Sequence, residues 1–427
     1  MKKIKKSRTK TIKLISIFLL TFAVHSLAQA IEQESELSIG QLVFKIREEQ
    51  KGKNILFKIQ HLETLLKSQE ESEKNHNFIL QFIATLYSYT GQHLHALQTW
   101  DTAFSSQQSK TYQLQDMHAT SAVKYVVKQA KKHNLVLINE AHHIAQHRVF
   151  THELLKPLWD TGFKYLAVEA LTLAGEELIA KGWVTEESGE YTYETLMVNM
   201  LLEAQRIGYK IIAYDYKPSK SREEREDLAA DTVYKKTFAT DKNAKVLIHV
   251  GYSHVKETQD RLAGKLEKLT KSEAFTVSQA YFKEPYSVSS SHSTYNLITT
   301  KFSKMLNPYI LVSKDNLAWS DSSEEYDVSI IWPRSQYLQG RPIWVSLNRD
   351  KVMIDRRVCG TKSTCLVEVY SDKNIQKLPT DRIVIDENQP SSFVYIRSNT
   401  DYVRAVDIDG NELTMFLASQ STYQEEQ

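Results

Sequence analysis

Four apolar runs in the middle of the chain each lead into titratable residues. Leu135 to Ile138 runs into Asn139, Glu140, Ala141, His142 and His143, with Arg148 close behind. Phe163 to Val168 ends on Glu169. Tyr209 to Tyr214 ends on Asp215. Lys245 to Val250 passes through Gly251, Tyr252 and Ser253 to His254. Short β-branched runs that alternate with helical periodicity read as parallel strands joined by helical crossovers. In an open parallel sheet the carboxyl ends of the strands lie along one edge, where ligands bind. Glu140, His143, Glu169 and His254 are therefore expected to converge, with His142, Arg148, Asp215 and Arg225 in support. Charges at a buried sheet end are costly unless they are paired or used. Two chemistries suit this stock: a histidine base that activates water beside an orienting carboxylate, or a divalent metal held by Glu140, His143, Glu169 and His254 with one position open.

The other histidines are weighed separately. His143 and His147 would share a helix face if the helix began by Ala141, but Ile144 stands where an H-E-x-x-H site needs glutamate. His142 and His143 are adjacent and point in different directions, so one of them faces the site. His249 lies inside a strand and reads as a hydrogen-bonded core histidine. There is no G-x-S-x-G elbow, and 13 glycines in 427 residues leave little room for a phosphate-cradling loop.

These residues need a scaffold, and the chain divides by texture. Residues 31–118 read as helical. Within them, Ile83, Ala84, Tyr87, Gly91, Ala96, Trp100 and Ala103 have the spacing of a tetratricopeptide repeat. One copy cannot bury its own face, so it serves either as a packing module or as a groove for a protein partner. Residues 119–300, extending to about 345, read as the α/β core. The expected class is a parallel sheet with helices on both faces, preceded by a small all-helical segment and followed by a small β-rich domain at 345–418. SVSSSHSTYN, near residue 290, reads as a linker. Whether Tyr309 to Leu347 joins the sheet or the β domain is left open by the pattern. Residues 419–427 read as a disordered tail. Cys359 and Cys365 are the two cysteines and are expected to form a local disulfide rather than a two-thiolate metal site.

Residues 1–30 have the form of a cleavable signal peptide: a lysine-rich start, an apolar stretch from Leu14 to Val24, and Ala28-Gln29-Ala30 as the cleavage site. This implies a periplasmic or secreted protein. Seven of the 54 basic residues and none of the 52 acidic ones lie in that leader, so the remainder carries a slight acidic excess. Nucleic-acid binding is thereby disfavoured, and no other stretch is long and apolar enough to be a transmembrane span.

The order N-E140-A-H142-H143, Arg148, Glu169 at a strand end, R225-E-x-L-A and VLIHVGYSH254 resembles the erythromycin-esterase-like branch of the haem-uptake/Tiki superfamily, which also holds ChaN-like haem-binding proteins and Tiki-type metallopeptidases. Glu140 and His143 match that family's G-E-x-x-H, with Asn139 in place of glycine. Glu169 matches its second glutamate and His254 its late histidine, while Gly251 falls where the family has an earlier one. The resemblance covers residues 119 to 285. It implies a hydrolase acting on an ester or amide of a small molecule or peptide, with His143 as base, Glu169 as its partner or a ligand, His254 as a second base or ligand, and Arg148 as an anion holder. It equally implies a carrier that holds haem, or manganese, zinc or iron, without turnover, through His142, His143 and His147. A scaffold that works through residues 31–118 and keeps a relict site is the third reading.

Overall fold

The computed structural model describes residues 39–67, 73–104, 112, 114, 116–258, 260–289, 291–389 and 391–420. The signal-peptide reading of residues 1–30 lies outside the described residues, as do residues 421–427 of the expected tail; Ala418–Gln420 form a short 3-10 turn.

The centre is a six-stranded parallel sheet. In chain order its strands are β2 (Leu135–Glu140), β3 (Tyr165–Val168), β4 (Lys210–Ala213), β5 (Val246–Gly251), β6 (Ala274–Ser278) and β8 (Val328–Ser329), and in space they run β4-β3-β5-β2-β6-β8. α5 (Ala122–Ala130) leads into β2, and the crossovers carry α6 (Gln146–Asp160), α7 (Leu173–Ala180), α8 (Thr195–Ile207), α9 (Arg222–Lys236) and α10 (Leu262–Thr270). Alternate side chains of each strand go to opposite faces. Val136, Ile138, Leu166, Val168 and Leu247 pack under α5, α6 and α8, while Leu135, Leu137, Ala167, Ile248 and Val250 pack under α9 and α10. Burial on both faces is why these strands are apolar throughout rather than alternating.

The stretch left open in the sequence divides. Val328–Ser329 adds the last parallel strand, and β7 (Tyr309–Val312) pairs antiparallel with β1 (His118–Ser121). The expected linker near residue 290 leads directly into a helix, α11 (Ser293–Lys301). Its serines and threonines disguise two anchors: Ile298 is buried, and Tyr295 donates its hydroxyl to the Trp332 carbonyl at 2.9 Å.

Past a small hairpin of β9 (Tyr337–Leu338) and β10 (Arg341–Pro342), the C-terminal part is antiparallel. A pair, β11 (Asp350–Asp355) with β14 (Ser391–Ile396), shares a core with a four-stranded sheet of β13 (Asp381–Ile385), β12 (Cys365–Tyr370), β15 (Tyr402–Val406) and β16 (Glu412–Leu417). The Cys359–Cys365 disulfide is present in that core.

At the other end of the chain, α1 (Ile39–Glu49), α2 (Ile55–Lys67), α3 (Glu73–Tyr89) and α4 (His93–Ala103) stack as helical hairpins. Ala84 and Ala96 are fully buried, as close approach of α3 and α4 requires. This layer docks on the C-terminal sheet. The Arg382 guanidinium donates to the carbonyls of Tyr89 and Tyr193, each at 3.0 Å, and to Glu368 at 2.9 Å. Gly91 turns the α3–α4 hairpin at φ +75°, and a Cβ there would lie 2.5 Å from the Arg382 carbonyl oxygen. Among the described residues no helix is long and apolar enough to cross a membrane.

Gly91→Ala should therefore destabilise the protein by roughly 1–3 kcal/mol, from backbone strain and a clash against a fixed carbonyl. Urea denaturation measures this; an unchanged midpoint would mean that the hairpin does not dock there.

Candidate functional site

β2 ends on Glu140, paired in register with Gly251 at the end of β5. The Glu140 carboxylate is buried and fully used. Arg148, in the first turn of α6, grips it with Nε at 2.8 Å and Nη2 at 2.7 Å. His142 Nδ1 lies 2.8 Å from one oxygen and His249 Nε2 lies 2.7 Å from the other. Burial works against ionisation of Glu140, but the Arg148 charge, and then His249, hold its carboxyl well below the usual range. An ionised carboxylate only accepts, so both imidazoles present N–H to it. His249 Nδ1 is left to take the Thr151 hydroxyl at 3.0 Å.

Arg148 has no exposed surface. Its Nη1 lies 3.1 Å from Glu194, a second buried carboxylate that also caps α8 through the amides of Leu196 and Met197, each at 2.9 Å. Burial lifts the Glu194 carboxyl above its ordinary range despite these partners. The anions that Arg148 holds thus belong to the protein, and it has no side for a substrate.

The second half of the cluster sits at the ends of β3, β4 and β5. Glu169 accepts from the Gly251 amide and from Arg225 Nη2 at 2.7 Å. Arg225 also clasps Asp215, with Nε at 2.8 Å. His254 directs Nδ1 to Glu226 at 2.5 Å and Nε2 toward Glu169 at 3.5 Å, with Arg225 Nη1 3.4 Å away. Burial depresses the His254 pKa, but the Glu226 hydrogen bond and the Glu169 charge outweigh it and raise the value. Burial likewise opposes ionisation of Glu169, and His142, His254 and Arg225 overcome it. Gly251 joins the two halves. A Cβ there would lie 2.6 Å from His142 Nε2 and 2.7 Å from Glu169 Oε2, so only glycine leaves room for both. The two residues beyond these strand ends, Ala170 (φ 58°) and Tyr252 (φ 40°), hold a left-handed backbone that favours glycine, a strain that tends to gather at functional sites.

The sheet edge therefore brings together Glu140, His142, Arg148, Glu169, Asp215, Arg225 and His254. It does not bring His143. That ring is buried and stacks on Trp100 of α4 at 3.8 Å and 5° between planes, with the Tyr252 hydroxyl 3.4 Å from Nδ1. Burial, and then Lys283, hold it well below the usual imidazole range. Helix α6 starts at Gln146, so His143 and His147 share no helix face; His147 accepts the Ala141 amide at 3.0 Å and burial drives its pKa to about 3. The histidines expected to hold iron or haem face three separate surroundings. His142 instead faces the site, lies under the Tyr191 ring at 3.9 Å and makes a T-shaped contact with Tyr252, 5.0 Å between ring centres.

A divalent metal does not fit this arrangement. Arginines already occupy Glu140 and Glu169, and among the described residues no group of three or more His, Cys, Asp or Glu is placed to hold an ion. Sequence reasoning missed Glu194, Glu226, His249 as a Glu140 partner, and the aromatic walls Trp100, Tyr191 and Tyr252. Glu194 had a signal, as an acceptor just before the apolar helix TLMVNML. Glu226 had one too, beside Arg225 just past the first turn of its helix.

No family model matches the chain, and no curated protein matches it. Among solved structures, that of the type III effector HopBA1 aligns over 40% of this chain and 91% of that chain, at 16% identity and a TM-score of 0.30. A likeness that slight carries no argument.

Removing the guanidinium in Arg148→Ala strands two buried carboxylates and should cost about 3–5 kcal/mol of stability, read by urea denaturation. The pH dependence follows from burial. His147 titrates at about 3 when folded against 6.5 as its ordinary value, so the unfolded chain takes up its proton first. Stability from this group is present above 6.5 and falls as pH drops toward 3. The stability of His147→Gln should therefore fall less steeply than that of the wild type between pH 7 and 5; identical slopes would mean that His147 does not titrate in this way.

Proposed function

We propose that this chain is an exported hydrolase that cleaves an ester or amide by histidine-activated water, in the manner of the erythromycin-esterase-like family its sequence resembles, with His142 in place of His143 as the base. The observation that carries this reading is the Glu140–His142 pair. Glu140 holds Nδ1, so the lone pair of His142 rests on Nε2, on the side of Gly251 and Glu169. A carboxylate behind a histidine fixes the tautomer and stabilises the imidazolium that forms.

Water between His142 and the substrate gives its proton to Nε2 as its oxygen bonds the carbonyl carbon. The developing oxyanion is met by Arg225, the most exposed charge of the cluster, with 36% of its side chain accessible. The bond to the leaving group then breaks, and His254, whose pKa Glu226 and Glu169 raise, supplies the proton to the departing atom. The two imidazoles approach the same Glu169 carboxylate, which holds base and acid in one site. Tyr191, on the segment between β3 and α8, roofs His142 and limits access of bulk water.

Turnover of 4-nitrophenyl esters and of a lactone panel tests this. His142→Gln should lower kcat roughly 10²–10⁴-fold without lowering the melting temperature. His143→Phe, which preserves the stack on Trp100, should keep turnover within a few-fold, and a chelator should leave the rate unchanged. Full activity in His142→Gln, or loss confined to His143→Phe, would overturn the assignment.

A further inference from the structure

A cavity of about 430 Å³ opens beside Tyr252, beyond the ends of β2, β5 and β6. Its size is that of a small-ligand site. Four tyrosines line it: Tyr112, Tyr252, Tyr281 and Tyr326. Two charged groups on its wall neutralise each other, Lys256 and Glu325, at 2.6 Å. The Lys256 ammonium lies 5.9 Å from the centre of the Tyr326 ring, so one tyrosine face here already meets a cation.

Asp321 is the charge left over. It is buried, and its side chain accepts a hydrogen bond from the Ser329 hydroxyl at 2.5 Å. Among the described residues it makes no ion pair. A buried carboxylate without a counter-charge is costly, and the faces of aromatic rings attract cations. A neutral apolar ligand would leave Asp321 uncompensated, and an anion would be repelled by it.

We propose that this cavity binds the protonated amine of a small ligand, an alkylammonium group held against the tyrosine faces with Asp321 as its counter-charge. Tyr252 links the two places, lining the cavity and making a T-shaped contact with the His142 imidazole, 5.0 Å between ring centres. If the hydrolase reading above holds, the substrate is an amine-bearing ester or amide whose ammonium sits in this cavity while its carbonyl reaches His142. The binding claim itself needs no turnover.

Calorimetric titration and saturation-transfer NMR of the purified protein with tetramethylammonium, against tert-butanol as the neutral isostere, test it. Tetramethylammonium should saturate one site, and tert-butanol should not. Asp321→Asn should weaken binding roughly tenfold or more, as expected for loss of a counter-charge worth about 1.4 kcal/mol. Tyr281→Ala, at an exposed ring whose loss leaves the core intact, should weaken it several-fold. Equal binding of the two probes, no saturable binding, or wild-type affinity in both variants would overturn the proposal. Saturable, Asp321-dependent binding by a protein that hydrolyses no ester would overturn the hydrolase reading alone.

Discussion

The structure depends on one buried ion pair, Arg148 with Glu140. A carboxylate at the end of a fully buried strand must find a counter-charge inside the protein. Arg148 supplies it through two parallel hydrogen bonds from the first turn of the next helix. That guanidinium then needs Glu194, and Glu194 caps the helix that covers the same face of the sheet. His249 and His142 take the remaining acceptor sites of Glu140. One interaction thus fixes the end of β2, the start of α6, the entrance to α8 and the orientation of the His142 imidazole at the sheet edge.

Around that centre all three parts of the chain contribute. The α/β core carries the titratable residues. The helical layer supplies Trp100 and Leu97, which cover His143, Ala141 and Ile144. The repeat-like hairpin is therefore used at least partly for packing, as the burial needs of a single copy require. The C-terminal sheet holds that layer in place through Arg382, which also reaches the segment carrying Tyr191 and Tyr193. The roof over His142 is thereby braced by residues more than 180 positions further along the chain.

Much of this was legible in the residue pattern. The parallel strands, their order of polar ends and the disulfide follow from apolar runs, turn residues and two cysteines six positions apart. What misled was local resemblance between neighbours. His142 and His143 have the same chemistry and adjacent positions, and nothing in their spacing says which one turns inward. Arg148 looked like a holder of foreign anions because an arginine near a site often is one; its partners, Glu140 and Glu194, lie 8 and 46 positions away on either side and meet only in the fold. Near residue 290, a polar composition hid a helix whose stability comes from two buried anchors rather than from propensity.

The sequence alone determined the alternation of strand and helix, because burial on two faces demands continuous apolar runs, and it determined that Glu140, Glu169, Asp215 and His254 share an edge, because parallel strands end on the same side. Only the tertiary structure decided which groups are available for chemistry. A buried carboxylate takes whatever donors converge on it, so Glu140 claimed Arg148, His249 and Nδ1 of His142. A ring packed flat on a tryptophan is removed from solvent, which took His143 out of the site. Gly251, with no side chain, left the space in which the two halves of the cluster meet.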